Sequence, residues 1–232
     1  MATDNTEMRH FTVREYPTIV VDNDFGRIHV RGAQAINEVS IQATKRNWIL
    51  IGEVSTPARI HYEQNNDENS IAVTVERVGW SVTETDLDIT VPWNANLRLA
   101  TKAGSIDVAG VSSQMFVQSN AGSITVRQST LGGSSTLQTT AGSVHFEGAI
   151  DPHGACQFVS NTGSVHVILP RDAAYHVDAR TDIGSITTNI PGLPVTRLNY
   201  MSSDAHCDVG EPPRAMITLI SNLGSISLQQ GF

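Results

Sequence analysis

The stretch that decides the fold is Ser119–Val126, SNAGSITV, in which a polar turn and a glycine lead into alternating apolar and polar residues. Closely similar text returns at Ser160–Val167, SNTGSVHV, and at Ser221–Leu228, SNLGSISL. Such alternation is typical of a β-strand with one buried face. The stretch therefore predicts a turn that opens a strand, and its return predicts a structural repeat.

Alignment on the turn glycine extends the repeat along most of the chain. The aligned glycines are Gly26, Gly104, Gly122, Gly142, Gly163, Gly184 and Gly224. Those in the middle lie roughly 20 residues apart, within the range of solenoid repeats. Apolar residues recur two and four positions after the glycine, and again five and seven positions before it. Each copy is therefore predicted to place one strand on either side of its turn.

A fixed period of this length predicts an all-β, parallel β-helix or solenoid-like fold, because a single unit cannot bury its apolar face alone and must stack on its neighbours. A series of antiparallel hairpins is the alternative, since a short turn with glycine also suits a hairpin loop. Recurrence of the same residue type at the same offset favours stacked units. We expect the turn glycines to adopt positive φ and the Ser, Thr and Asn residues before them to bond turn backbone.

The divisions of the chain follow from where the repeat is regular. We expect a disordered tail at residues 1–10 and a single β-solenoid domain at 11–232. Within that domain, residues 11–92 are expected to form a more irregular β layer that caps the regular repeats of 93–190. The four prolines of 191–213 predict a loop-like insertion. Residues 214–232 would then form the final unit.

Composition and charge exclude several classes of function. The formal net charge is −8 and Lys and Arg are not clustered, whereas nucleic acids and anionic membranes require a concentrated positive patch. No apolar run approaches the ~20 residues of a membrane span, and the polar start of the chain resembles no export signal. We therefore expect neither nucleic acid binding nor membrane insertion, and the cellular compartment stays open.

The chain has two cysteines, Cys156 and Cys207, so no disulfide framework or zinc motif is predicted. Cys156 falls in an inward column and should be a buried thiol. Cys207 lies in the proline-rich segment and is the candidate for a reactive thiol.

We expect no catalytic residue, no cofactor and no metal. The position three after each glycine points outward and holds one acid among seven residues: His29, Asp107, Thr125, His145, His166, Thr187 and Ser227. That is too few carboxylates for an acid–base pair. His145 and His166 should be one strand spacing apart, but a metal site normally needs a third ligand, for which His153 and His176 are the candidates.

The ordered phrases of the repeat resemble the bacterial "putative adhesin" family of β-strand repeat proteins, a domain of unknown function. The resemblance rests on IVVDNDFGRIHVRG at Ile19–Gly32, LDITVPWNANLRLATKAGSIDVAGV at Leu87–Val111 and SNLGSISL at Ser221–Leu228. It implies a right-handed, solenoid-like all-β fold and association with the cell envelope, and it transfers no catalytic residues.

The first functional hypothesis is a noncatalytic binding or adhesion module that presents a polar face to a glycan or a surface protein. Its expected binding residues are Thr125, His145, His166 and Thr187. The second hypothesis is a structural scaffold that forms homo-oligomers through unpaired strand edges at the solenoid ends. The third is an enzyme acting on polysaccharides, because parallel β-helices also support that chemistry.

Overall fold

A computed structural model describes residues 3–47, 58–77, 83–191, 194–197 and 202–231 of the chain. Parts of the expected cap layer (48–57 and 78–82) and of the expected insertion (192–193 and 198–201) lie outside the described residues. Within the described residues the regular structure is entirely β, as the sequence predicts. None of it is a helix of the length and apolarity required to cross a membrane.

The described residues form twenty-two β-strands. The first eleven are β1 (Thr3–Thr12), β2 (Thr18–Phe25), β3 (Ile28–Ala33), β4 (Glu38–Asn47), β5 (Arg59–Asn65), β6 (Ser70–Glu76), β7 (Thr83–Pro92), β8 (Asn96–Ala103), β9 (Ile106–Ala109), β10 (Ser112–Ser113) and β11 (Met115–Ala121). The others are β12 (Ile124–Leu131), β13 (Ser134–Ala141), β14 (Val144–Ile150), β15 (Ala155–Thr162), β16 (Val165–Leu169), β17 (Tyr175–Ile183), β18 (Ile186–Thr188), β19 (Val195–Arg197), β20 (Ser203–Val209), β21 (Ala215–Leu223) and β22 (Ile226–Gln230).

The strands form two sheets. Sheet 1 has the order β1-β4-β7-β3-β9-β12-β14-β16-β22-β18, with β10 beside β12, and sheet 2 has the order β19-β20-β17-β21-β15-β13-β11-β8-β2-β6-β5. The two strands of each repeat lie in different sheets and are joined by the turn glycine. Neighbouring repeats pair in parallel, so the hairpin alternative does not apply to them.

Parallel pairing in register builds the core from columns of like residues. In sheet 2, Val117 lies opposite both Leu99 and Leu137, as the aligned repeat predicts. The inward side chains of both sheets form one apolar cluster. Phe146 of sheet 1 and Phe158 of sheet 2 meet in it with ring centroids 5.3 Å apart. Burial of these columns is the main stabilising contribution, because apolar area removed from water is worth about 25 cal/mol per Å².

The turn glycines stack along one edge of the two sheets. Six of the seven have positive φ, and Gly184 is the exception: Gly26, Gly104, Gly122, Gly142, Gly163 and Gly224. A Cβ atom on Gly122 would overlap the carbonyl group of Gly104 in the neighbouring unit, and the same overlap recurs along the stack. Close backbone approach therefore requires glycine at this position.

The spatial order of the units differs from their order in the chain. The last unit in sequence, β21–β22, lies between β15–β16 and β17–β18. The first unit, β2–β3, likewise lies between β6–β7 and β8–β9. The expectation that residues 214–232 end the stack is therefore wrong, because the chain returns to fill an interior position.

Antiparallel strands extend both ends of the parallel stack, so the two sheets are mixed and the parallel pairing is confined to the repeat units and their neighbours. Residues 3–10, expected to be disordered, belong to β1, which pairs antiparallel with β4. β5 extends β6 in the same manner. The segment 191–213, expected to be loop-like, contains β19 and β20, and β20 pairs antiparallel with β17. Such pairing satisfies backbone groups that the parallel edge would leave open.

Candidate binding face

The four residues expected to bind lie on the outer face of sheet 1. Each follows an inward residue by one position, so the strand pleat directs its side chain away from the core. The register places Thr125 opposite His145, and His145 opposite His166. We call the line of residues at this position on the strands that pair in parallel the outer row. In spatial order it comprises Asp88, His29, Asp107, Thr125, His145, His166, Ser227 and Thr187.

Thr187 is further from the histidines than the chain order suggests. Ser227 pairs with both His166 and Thr187 and therefore stands between them. This insertion follows from the interior position of β22. The structure thus brings Thr125, His145 and His166 together as direct neighbours and adds Ser227 to the predicted set.

The two central histidines stack face to face. The ring centroids of His145 and His166 are 5.0 Å apart and their planes differ by 11°. Desolvation lowers the pKa of His145, and the neighbouring His166 and Arg127 lower it further. The neutral form of His145 is therefore favoured, and the two rings turn their faces towards each other.

The opposite end of the outer row is acidic. His29 lies between Asp88 and Asp107 in register. Its Nδ1 atom is 3.1 Å from Oδ1 of Asp88, and Arg31 Nε donates to His29 Nε2 at 3.3 Å. The sequence columns missed Asp88, because β7 has no turn glycine with which to align it.

The outer face of sheet 2 carries a shallow groove that the sequence reasoning also missed. The groove lies near β17 and β20 and has a volume of 480 Å³. A second depression, of 370 Å³, lies over the middle strands of the same sheet. In the second depression the guanidinium of Arg98 lies 5.2 Å from the ring centroid of Phe116. Gln118 and Gln138 pair in register beside them. These residues occupy the outward positions four and six residues before each turn glycine, so the alignment of the repeat contained the information that places them on one face.

Both cysteine thiols have raised pKa values. Cys156 is buried, as predicted, and burial raises its pKa to about 12. Cys207 lies in β20, where desolvation and the nearby Asp208 raise its pKa. Because the thiolate is the nucleophile, both shifts disfavour reaction at these thiols, and the reactivity of Cys207 stays a prediction.

In the part of the chain that the structure describes, no third metal ligand converges on the stacked histidines. Among the described residues, the group of three or more His, Cys, Asp or Glu side chains with converging ligand atoms is His176, Asp178 and His206, on the other sheet. His176 belongs to that group, and His153 bonds through its backbone N–H to Asp151 at 2.8 Å. The outer row therefore has the character of a polar contact surface.

Comparison with known proteins agrees with the predicted resemblance. Residues 7–182 match the sequence model of the Toastrack DUF4097 family. No curated protein matches the sequence. The fold is similar to a "putative cell adhesion protein" from Clostridium sporogenes, with a TM-score of 0.61, 11% identity and coverage of 99% of this chain and 100% of that chain.

Two further solved structures are more distant. A "putative adhesin" from Bacteroides fragilis has a TM-score of 0.41 at 13% identity, covering 98% of this chain and 97% of that one. A "putative lipid binding protein" from Parabacteroides distasonis has a TM-score of 0.26 at 9% identity, covering 98% of this chain and 97% of that one.

Proposed function

The chain belongs to the Toastrack DUF4097 family, and from this premise we propose that it is a noncatalytic binding module of the adhesion type, associated with the cell envelope. The observation that carries the proposal is the outer row, a continuous and in-register line of polar side chains on a flat sheet. The name of the Clostridium sporogenes protein of similar fold supports the same class of function.

The chemistry of the outer row favours a glycan as the partner. The two imidazole rings turn their faces towards each other, so their edges, which carry the ring nitrogens, can bond sugar hydroxyls together with the hydroxyls of Thr125 and Ser227. Successive donors recur at the strand spacing of ~4.8 Å. A polymer lying across the strands would therefore meet one similar contact after another, and many weak contacts would add up to useful affinity.

The arrangement of acids supports the noncatalytic part of the proposal. Asp88 and Asp107 are two strands apart, which corresponds to about 9.6 Å between their backbones. Although this is close to the spacing of an inverting glycosidase pair, the Asp88 carboxylate is 47% exposed on an open face and bonds to His29. A glycosidase general acid typically lies in an apolar pocket, whereas Asp88 lies on an open sheet face.

The test is binding of the purified protein to fractionated envelope polysaccharides, measured by co-sedimentation and then by calorimetry on the best fraction. A variant carrying Thr125→Ala, His145→Ala and His166→Ala should raise the Kd at least tenfold. A variant with Gln118→Ala and Gln138→Ala, on the outer face of sheet 2, is the matched control and should bind normally. Circular dichroism checks that both remain folded.

Two results would overturn the proposal: no binding to any envelope fraction, or equal binding by the outer-row variant and the wild type. Binding to envelope protein alone would replace the glycan by a protein partner. Release of sugar fragments that disappears in Asp88→Asn or Asp107→Asn would restore the enzyme hypothesis.

A self-associating scaffold is the second candidate, and the edge of sheet 1 favours it. β1 is a ten-residue strand that pairs on one side with β4 and forms the outermost strand of the sheet. Such an edge is a template for pairing with a second copy. Light scattering over a wide concentration range tests this, and a constant monomer mass would eliminate it.

A right-handed solenoid is the finer form of the fold that we propose, from the resemblance and from the preference of parallel crossover connections for that hand. An experimental structure that traced the units with the opposite hand would reject it.

A further inference from the structure

The antiparallel pair β17 and β20 places two histidines and two aspartates in one outward block on sheet 2. His176 lies opposite Asp208, and Asp178 lies opposite His206. Val177, which lies between His176 and Asp178 on β17, is buried, so the two share the outer face. Each strand thus contributes one histidine and one aspartate, and the two histidines occupy a diagonal.

Three of these four side chains converge on one point. His176 Nε2 is 3.4 Å from Oδ2 of Asp178, and His206 Nδ1 is in direct contact with Oδ1 of Asp178. The rings of His176 and His206 meet edge to face with centroids 4.6 Å apart. One ligand atom from each of His176, Asp178 and His206 lies within 4.8 Å of the others. Small rotations about the side-chain bonds would bring all three within coordination distance of a single ion.

The fourth residue has the geometry of a supporting group. Nδ1 of His176 is 2.6 Å from Oδ1 of Asp208, which leaves Nε2 directed at the other ligands. Histidines that bind metal usually donate their second ring N–H to such a carboxylate, which fixes the ring and its tautomer. Arg214 lies 3.5 Å from the other oxygen of Asp208 and helps to hold that carboxylate in place.

We propose that His176, Asp178 and His206 form a zinc site, with Asp208 as its positioning residue. Two imidazoles and one carboxylate are a ligand set that zinc accepts, with a solvent molecule in the remaining position. The side chains of Asp178 and His206 are more than half exposed, and both line the 480 Å³ groove. The fourth position is therefore accessible from that groove.

The site would fasten β20 to the parallel stack. Two of its ligands come from β17 and one from β20, so the ion bridges the antiparallel strands at the end of sheet 2. A metal ion that binds only the folded chain stabilises that state, and the gain in unfolding free energy grows with the logarithm of the ratio of free metal concentration to Kd. Zinc should therefore raise the unfolding temperature of the protein and protect β20 from amide exchange.

Calorimetric titration of the full chain with zinc chloride at pH 7.5 tests the proposal, because neutral imidazoles are required. We expect one zinc per chain in the wild type. His206→Ala and Asp178→Asn should each weaken binding at least tenfold, and Asp208→Asn should weaken it by about tenfold or more through loss of ring positioning. His145→Ala combined with His166→Ala is the control for paired surface histidines and should leave the affinity unchanged.

Substitution by Co²⁺ provides a second readout that does not depend on stability. Its visible absorption bands should report a low-coordinate site in the wild type and disappear in His206→Ala. Failure of the wild type to bind zinc at one equivalent, or unchanged affinity in both His206→Ala and Asp178→Asn, would overturn the inference. Loss of zinc binding in the His145 and His166 control alone would also overturn it, by moving the site to the outer row.

Discussion

The side-chain hydroxyl of Thr139 donates a 2.8 Å hydrogen bond to the carbonyl oxygen of Gly122 in the neighbouring repeat. Four further hydroxyls form the same link from one unit to the next: Ser119 to Gly104, Ser160 to Gly142, Ser221 to Gly163 and Thr181 to Gly224. All five donors are fully buried. The repeated polar residue before the turn is therefore part of a buried ladder that satisfies turn carbonyls as the units stack.

Replacement of Thr139 by valine should destabilise the fold by about 1 to 2 kcal/mol, because it leaves the buried Gly122 carbonyl without this donor at nearly constant volume. Thr101 is the matched control. It occupies the same column, but its buried hydroxyl has no hydrogen-bond partner among the described residues, so Thr101→Val should be neutral or stabilising. Denaturant unfolding measures both, and equal losses in the two variants would contradict the ladder.

Gly122→Ala should destabilise the fold by about 3 kcal/mol or more, because it combines an unfavourable backbone conformation with a steric overlap. The φ angle of Gly122 is 152°, and an added Cβ would overlap the Gly104 carbonyl. At Gly132 an added Cβ would meet its nearest atom at 3.8 Å, so Gly132→Ala is the control and should lie within about 0.5 kcal/mol of the wild type. Guanidinium unfolding distinguishes them, and a tolerated Gly122→Ala would show that neighbouring units separate easily.

The repeat and its columns could be predicted because one physical requirement recurs in every unit. Inward apolar residues such as Val117, hydroxyls such as Ser119 and glycines such as Gly122 stand at fixed offsets, so alignment alone gives their register. The histidine pair of the outer row follows from the same alignment, since His145 and His166 lie in consecutive units.

The order of the units could not be predicted in this way. Every unit presents the same surface to its neighbours, so the repeat does not specify whether β22 stacks beyond β18 or between β16 and β18. The antiparallel partner of β17 could not be predicted either, because β20 has neither the turn glycine nor the spacing of the repeat. The proximity of His176 to His206 depends on that pairing, so alignment of the repeats could not predict it.

Asp86 anchors the junction of β7 with the first repeat unit and with β4. Its carboxylate is almost fully buried. It accepts a 2.9 Å hydrogen bond from the backbone N–H of Arg27 and forms an ion pair with Arg46 at 2.9 Å. Asp86→Ala should therefore destabilise the fold by about 1 to 3 kcal/mol, because it leaves the Arg27 backbone N–H and the partly exposed Arg46 guanidinium without their acceptor.

Asp88 is the control for Asp86, because it lies on the same strand with a half-exposed carboxylate bonded to His29. Asp88→Ala should cost about 1 kcal/mol or less. Thermal unfolding of the two variants gives the comparison, and equal losses would show that burial of Asp86 carries no special contribution.

His145 should make the protein less stable in mild acid. Burial and the proximity of His166 and Arg127 lower its pKa in the folded chain, whereas the unfolded chain titrates near the ordinary value of about 6.5. Below that pH the unfolded state binds the proton more readily, so this contribution to stability is complete above pH 6.5 and is lost as the pH falls through the folded pKa. His145→Thr, which places in the row the residue already present at position 125, should remove that loss.

The measurement is the urea midpoint at pH 7.5 and at pH 5.5 for the wild type, His145→Thr and the turn variant His153→Thr. We expect the wild type and His153→Thr to lose similar stability on acidification, and His145→Thr to lose less. The wild type and His145→Thr share every titrating group except His145, and His153→Thr shows whether loss of another histidine has the same effect. An identical acid response in His145→Thr and the wild type would mean that the stacked pair accommodates a proton without cost, and the outer row would then present a positive charge to its partner at pH 5.5.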